Sequence, residues 1–77
     1  MRLYSLKDRT VININTGERM ASAASCDFEI DEDNGRIEAM LIPQGKMKML
    51  FSNEPDYLRV PWEKITKIGV DTIMINL

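Results

Sequence analysis

The chain has 77 residues, which suffices for a single small domain over residues 1–77. Its composition, 44% hydrophobic and 29% charged, excludes a disordered chain, and the formal charge of −2 excludes a strongly basic nucleic-acid binder. Because there is no long apolar run and only one cysteine, we expect a cytoplasmic protein with no membrane partner and no internal disulfide.

Turn-forming residues divide the chain at short and fairly even intervals. They include Asn15-Thr-Gly17 and Asp33-Asn-Gly35, and glycine suits the positive backbone angles of hairpin turns. Short alternating segments lie between the turns, and no long amphipathic helix is visible, which predicts a small all-β domain. The predicted strands are Arg2–Tyr4, Val11–Asn13, Ala21–Ile30, Arg36–Pro43, Tyr57–Val60 and Thr72–Leu77.

The third and fourth predicted strands differ in the polarity of their faces. In the third, one face is apolar, and the other carries Ser25, Asp27, Glu29 and Asp31. The apolar face consists of Ala24, Cys26, Phe28 and Ile30. In the fourth, both faces are partly apolar, which indicates a strand that is covered by another element or used as an interface. Ile37, Ala39 and Leu41 alternate there with Glu38, Met40 and Ile42.

The segment from Lys46 to Phe51 is open to two interpretations, a further barrel strand or an interaction arm. Turn formers stand on both sides of it, and its methionines offer adaptable apolar contacts. Its two lysines would suit an acidic partner. Combined with one face of the fourth strand, the arm predicts a candidate partner surface made of Met40, Ile42, Lys46, Met47, Lys48, Met49 and Phe51.

The C-terminal part begins with the strand at Tyr57, which Pro61 is predicted to end because proline cannot donate to a sheet ladder. One helical turn is predicted near Pro61–Ile65, with Ile65 and Ile68 on one side. A Gly-Val-Asp turn then leads to the last strand. Trp62 is predicted to plug one end of the domain, with its ring buried and its indole N–H hydrogen-bonded.

These segments, in this order and spacing, resemble the PRC-barrel domain and, within it, the small YlmC/YmxH family of sporulation proteins. The resemblance implies a compact β-barrel of about six strongly bent antiparallel strands, which serves as a binding module and not as an enzyme. Such domains usually carry a Leu-Gly pair after the first hairpin turn, where this chain has Met20-Ala21. The segments with the clearest resemblance are Arg2-Leu-Tyr-Ser-Leu6, Cys26-Asp-Phe-Glu-Ile-Asp31, Asn34-Gly-Arg-Ile-Glu-Ala39 and Val60-Pro-Trp-Glu-Lys-Ile65.

No catalytic, cofactor-binding or metal-binding residues are predicted. The chain has no histidine, the usual proton carrier near neutral pH, and Cys26 therefore has no histidine to activate it. The acidic run that begins at Asp27 fails the calcium-loop pattern, because Glu32 stands where that loop requires glycine. Trp62 has too few aromatic and basic neighbours for a single-strand nucleic-acid site.

The sequence therefore predicts a cytoplasmic, non-enzymatic protein–protein interaction module of the YlmC/YmxH sporulation type, with no cofactor and an unnamed protein partner. A homodimer is expected, because a small core and a strand apolar on both faces leave surface for a second copy. The alternative is an accessory of RNA metabolism or ribosome assembly, similar to the PRC-like barrel of RimM-type maturation factors. The formal charge of −2 argues against that alternative and against a nucleic-acid partner.

Overall fold

The computed structural model describes residues 1–44 and 56–77 and shows an all-β chain, as predicted. Short 3₁₀ turns lie at Leu3–Asp8, Ala23–Ser25 and Trp62–Lys64, and no described helix has the length and apolar character needed to cross a membrane. The strands in the described ranges are β1 (Thr10–Asn13), β2 (Arg19–Ser22), β3 (Asp27–Ile30), β4 (Ile37–Pro43), β5 (Tyr57–Pro61), β6 (Ile65–Ile68) and β7 (Thr72–Ile75).

The described strands form two sheets. A four-stranded sheet has the order β2-β1-β7-β6, and a three-stranded sheet has the order β3-β4-β5. Strands β1 and β7 run parallel, whereas every other described pair is antiparallel. No hydrogen-bonded ladder joins the two sheets within the described ranges, so the closed barrel of about six strands is not seen there.

The core contains buried side chains from both sheets. Val11, Ile73 and Ile75 come from the central strands of the four-stranded sheet, where β1 and β7 alternate between buried and half-buried positions. The predicted last strand, Thr72–Leu77, is thus confirmed over Thr72–Ile75, whereas Leu77 lies beyond β7 and is 46% exposed. The other members of this buried cluster are Leu6, Ala23, Met40, Ile42 and Val60.

The first predicted strand is wrong, because Leu3–Asp8 forms a 3₁₀ turn. The Ser5 N–H donates to the Arg2 carbonyl at 3.0 Å, and the Arg9 N–H donates to the Leu6 carbonyl at 3.0 Å. Leu6 is the one buried residue of this turn. An alternation of only three residues was too short to distinguish a strand from a tight turn anchored by one apolar side chain.

The long strand predicted over Ala21–Ile30 is interrupted by the 3₁₀ turn at Ala23–Ser25. Ser22 causes the break, since its hydroxyl accepts a hydrogen bond from the Ala24 N–H at 3.3 Å. The predicted apolar face is therefore not continuous. Of its members, Cys26 and Phe28 are half-buried, whereas Ala24 and Ile30 are exposed.

The Met20-Ala21 pair lies at a β-bulge between β1 and β2. Val11 pairs with Ala21 and Ile12 pairs with Arg19, so Met20 is the additional residue. Both Met20 and Ala21 pack against the core cluster, as expected where a bulge interrupts the alternation. The hairpin therefore forms its bulge without the glycine that similar domains carry, and Ala21 does so without a positive φ.

The Pro-Trp corner also differs from its prediction. Pro61 is the last residue of β5, and the helical turn is a 3₁₀ turn over Trp62–Lys64, after which Ile65–Ile68 continues as strand β6. Trp62 is half-buried and packs edge-on against Phe28, with ring centroids 6.1 Å apart and planes at 72°. Because the ring is only half-buried, Trp62 is not the buried plug that was predicted.

Two hairpin turns, over residues 13–18 and 31–36, have the same hydrogen bonds. In each turn, the side chain of the first residue, Asn13 or Asp31, accepts a hydrogen bond from the backbone N–H of the third residue. The backbone carbonyl of the first residue accepts a hydrogen bond from the N–H of the fifth residue at 2.7 Å. A side-chain oxygen at the fourth position also accepts from the sixth N–H. The fifth residue is Gly17 or Gly35, each at φ +74°, which confirms the predicted positive angles.

We predict that Gly35→Ala lowers the free energy of unfolding by about 1 kcal/mol, because a Cβ is unfavourable at positive φ. Gly35→Asn is the matched control and should cost less, since asparagine tolerates this conformation. Urea denaturation measures both variants. Equal stability of the alanine variant and the unchanged protein would show that this turn does not require the left-handed conformation.

Trp62→Ala should cost about 1–2 kcal/mol, because the ring is half-buried and contributes one aromatic contact. Ile73→Ala, in the fully buried centre of the core, should cost about 2–5 kcal/mol. Urea midpoints of the two variants give the comparison. A tryptophan variant as unstable as the isoleucine variant would restore the buried-plug interpretation.

Candidate functional site

The predicted partner surface is corrected at its two positions in β4. Met40 and Ile42 are fully buried in the core, so they do not form an exposed strand face. The physical reason is strand alternation, which turns the even-numbered residues of β4 towards the four-stranded sheet. The other predicted members, Lys46, Met47, Lys48, Met49 and Phe51, lie outside the described residues, and their role stays a prediction.

The opposite face of β4 lies on the outside of the three-stranded sheet. Leu41 and Pro43 are half-buried there. Strand register places residues of β3 and β5 beside this face of β4, in the rows Asp27–Leu41–Arg59 and Glu29–Ala39–Pro61 and the pair Pro43–Tyr57. We call this surface the outer sheet face: Asp27, Glu29, Ala39, Leu41, Pro43, Tyr57, Arg59 and Pro61.

A bidentate ion pair crosses the outer sheet face. The Arg59 guanidinium donates to both carboxylate oxygens of Glu29, at 2.9 and 3.1 Å. Glu29 belongs to β3 and Arg59 to β5, so the two side chains meet across the strand between them, β4. Neighbouring strands lie about 4.8 Å apart, and the small side chain of Ala39 leaves room for this crossing. Ala39 is fully buried although it lies on the outer side of the sheet.

The ion pair shifts the pKa of both partners. The hydrogen bond from Arg59 lowers the pKa of the Glu29 carboxyl, and the same bond raises the pKa of Arg59. The two side chains remain 44% and 49% exposed, so water screens the pair and its contribution to stability is small. Its main structural effect is to set the position of two opposite charges on the sheet surface.

A second interacting pair, Asp31 and Glu38, lies at the end of this sheet near the β3–β4 turn. A hydrogen bond with Asp31, and the charge of that carboxylate, raise the pKa of Glu38. The backbone N–H of Asp33 lowers the pKa of Asp31. Asp31 is therefore engaged with its own turn. In the described ranges, no three His, Cys, Asp or Glu side chains are arranged to hold a metal ion.

Cys26 is a half-buried free thiol beside the start of β3. Burial raises its pKa, so the reactive thiolate is disfavoured. Its sulfur lies 3.6 Å from the Ser22 carbonyl, to which the thiol donates. Its raised pKa and its hydrogen bond both make Cys26 a poor nucleophile.

Sequence reasoning missed the outer sheet face because β4 is apolar on both sides. Glu38 is the charged residue among the even-numbered positions of β4, and it lies at a register irregularity near the end of the sheet. It therefore escapes burial in the core, although Met40 and Ile42 do not. Pairing register was the missing signal, since Arg59 and Glu29 come together only when β3 and β5 both pair with β4.

A separate exposed apolar patch, which sequence reasoning also missed, lies where the first 3₁₀ turn meets the β6–β7 turn. The Arg9 guanidinium donates to the Gly69 carbonyl at 2.7 Å and also to the Ser5 carbonyl. Tyr4 on the 3₁₀ turn and Val70 on the β6–β7 turn are 69% and 93% exposed. Their exposure makes this patch a useful reference for tests of the outer sheet face.

We predict that the Glu29 carboxyl titrates below the ordinary glutamate range and that Arg59→Gln returns it upwards. Because the pKa of Glu29 is lower in the folded protein than in the unfolded chain, the ion pair contributes stability at pH values above the unfolded-state pKa. This contribution is lost as the pH falls through the folded-state pKa of Glu29. NMR titration of the side-chain carbonyl carbons measures this shift. Lys64→Gln is the control, because it removes an exposed cation on another element. If the titration of Glu29 is unchanged in Arg59→Gln, the pairing of Glu29 with Arg59 is contradicted.

Comparison with known proteins finds relatives over nearly the full length of the chain. The family model described as the PRC-barrel domain matches residues 1–77. The uncharacterized protein YmxH of Bacillus subtilis is 39% identical over 77 residues, which cover 100% of this chain and 89% of YmxH. The probable sporulation protein YlmC of the same organism is 33% identical over 75 residues, which cover 96% of this chain and 86% of YlmC.

An uncharacterized protein of Clostridium acetobutylicum is also similar, with 33% identity over 74 residues that cover 96% of this chain and 82% of that protein. Nearly the full length is therefore shared with each of these relatives. Since the family model also matches every residue, the chain belongs to the PRC-barrel domain family, and its relatives include the uncharacterized YmxH and the probable sporulation protein YlmC.

Proposed function

We propose that this chain is a non-enzymatic protein–protein interaction module that acts in the cytoplasm during sporulation and binds its partner through the outer sheet face. The observation that carries the proposal is the apolar strip along β4, flanked by the Glu29–Arg59 ion pair. The connection with sporulation comes from the similarity to YlmC, a probable sporulation protein. The full-length similarity to YlmC supports this extension to the present chain.

The outer sheet face has the mixed character of a recognition surface. Leu41 and Pro43 are half-buried, and Tyr57 is 37% exposed, so a partner can remove further apolar area from water. Tyrosine and arginine are enriched among the residues that dominate binding energy at interfaces. Because Glu29 and Arg59 hold each other in place, a partner meets two charges in defined positions, which favours a specific orientation.

The chemistry of the chain supports recognition over catalysis. The sequence has no histidine, and burial raises the pKa of its single thiol, Cys26. Glu29 and Arg59 on the outer sheet face are paired with each other, so neither is a free acid or base. An RNA-binding role receives less support, because Asp27 and Glu29 place acidic groups on this face and would repel phosphates.

The predicted homodimer offers a direct first test of the outer sheet face. Leu41→Lys places a charge in the middle of the apolar strip, and Val70→Lys places the same charge on the separate exposed patch as a matched control. Light scattering should give a mass twice the 8.9 kDa of one chain for the unchanged protein and the control. Leu41→Lys should give the mass of one chain.

Affinity capture from sporulating cells tests for other protein partners. Tagged unchanged protein and Val70→Lys should capture the same partner, and Leu41→Lys should lose it while unfolding at a similar urea concentration. Retained capture by the folded Leu41→Lys variant would place the binding surface elsewhere. Lys46–Phe51 then becomes the first alternative, since its role as an interaction arm stays a prediction.

A further inference from the structure

Strand β2 forms an edge of the four-stranded sheet. Among the described strands it pairs only with β1, so its other side presents backbone N–H and C=O groups that no described strand satisfies. A cavity of about 400 Å³ opens beside this edge. Its lining comes from the start of β1 and the whole of β2: Thr10, Arg19, Met20, Ala21 and Ser22.

The bulge in β2 separates the polar and apolar parts of this lining. Arg19 pairs with Ile12 and Ser22 pairs with Thr10, so their side chains lie on the outward side of the sheet. Met20 and Ala21 are half-buried and pack against the core cluster. The edge therefore offers a polar side with a guanidinium and an apolar side with two small or flexible side chains.

Arg19 is available to a ligand. Its side chain is exposed, and within residues 1–44 and 56–77 it makes no ion pair or side-chain hydrogen bond. Arg59, by comparison, is held by Glu29, and the Arg9 side chain is used by two backbone carbonyls. A guanidinium with no partner among the described residues, beside an edge that no described strand pairs, favours a ligand that carries a carboxylate next to an extended main chain.

We propose that the β2 edge binds an extended peptide segment of a protein partner, which adds to the sheet as a further strand. One acidic side chain of the peptide pairs with Arg19 on the outward side. Its neighbouring apolar side chains enter the cavity beside Met20 and Ala21, because successive residues of a strand point to opposite faces. Backbone hydrogen bonds supply affinity in this arrangement, and the acidic residue supplies specificity.

This site lies on the opposite sheet from the outer sheet face, so it is independent of the proposed function. The volume of the cavity is within the range of about 300–1,000 Å³ that is typical of ligand sites. The regular part of the edge is short, because the bulge interrupts β2. We therefore expect a weak contact by a short segment, whose strength depends strongly on the Arg19 pair.

The test uses a fluorescein-labelled octapeptide of alternating valine and threonine in which one central threonine is replaced by aspartate. The control peptide carries lysine at the same position. A third peptide carries N-methyl groups on alternate backbone nitrogens and cannot form the ladder. Fluorescence anisotropy is measured against unchanged protein at concentrations up to about 1 mM, which detects weak complexes.

Two protein variants locate the binding site. Arg19→Glu reverses the charge at the β2 edge, and Lys67→Glu is the matched control on β6, the opposite edge of the same sheet. The unchanged protein should prefer the aspartate peptide by about fivefold, as expected for an opposite-charge cross-strand pair. Arg19→Glu should prefer the lysine peptide, Lys67→Glu should behave as the unchanged protein, and the N-methylated peptide should not bind.

Four results would overturn the proposal. The first is the absence of binding by both unmethylated peptides, and the second is a preference that Arg19→Glu leaves unchanged. The third is equal binding of the N-methylated peptide, which would show that no ladder forms. A preference that changes in Lys67→Glu would instead place the added strand at β6 and would likewise overturn the assignment to β2.

Discussion

The parallel pairing of β1 with β7 is the contact on which the rest of the structure depends. It joins Thr10–Asn13 to Thr72–Ile75, two segments at opposite ends of the sequence, and it places β2 and β6 on either side. The side chains of Val11, Ile73 and Ile75 on these strands are fully buried. Loss of this pairing would separate the four-stranded sheet into two hairpins, neither of which is expected to be stable alone.

The surroundings of this pairing reinforce it at both ends. At one end the Thr10 N–H donates to the Asp71 carbonyl at 2.9 Å, and Arg9 donates to Gly69 at 2.7 Å. At the other end the Asn15 side chain donates to the Asn76 side chain at 2.6 Å. These bonds connect loops to loops, so the register of β1 against β7 is set by the strands and also by their ends.

The orientation of the second sheet follows from this buried centre. Because the four-stranded sheet presents an aliphatic face, β4 turns Met40 and Ile42 towards it and leaves Leu41 outside. The outer sheet face and the β2 edge are thus consequences of how the core is filled. Both surfaces combine apolar side chains with an arginine, and this combination is the basis of the two proposed recognition roles.

The sequence by itself determined the all-β class, the family, the turns at Gly17 and Gly35, and the strands at Ile37–Pro43 and Thr72–Ile75. These features depend on neighbouring residues, through backbone angles that glycine permits and through strict alternation. The tertiary structure decided which face of β4 is buried, where Ser22 interrupts the third predicted strand, and how β1 meets β7. Alternation identifies the two faces of a strand, but when both are apolar, only the partner sheet decides which of them is inside.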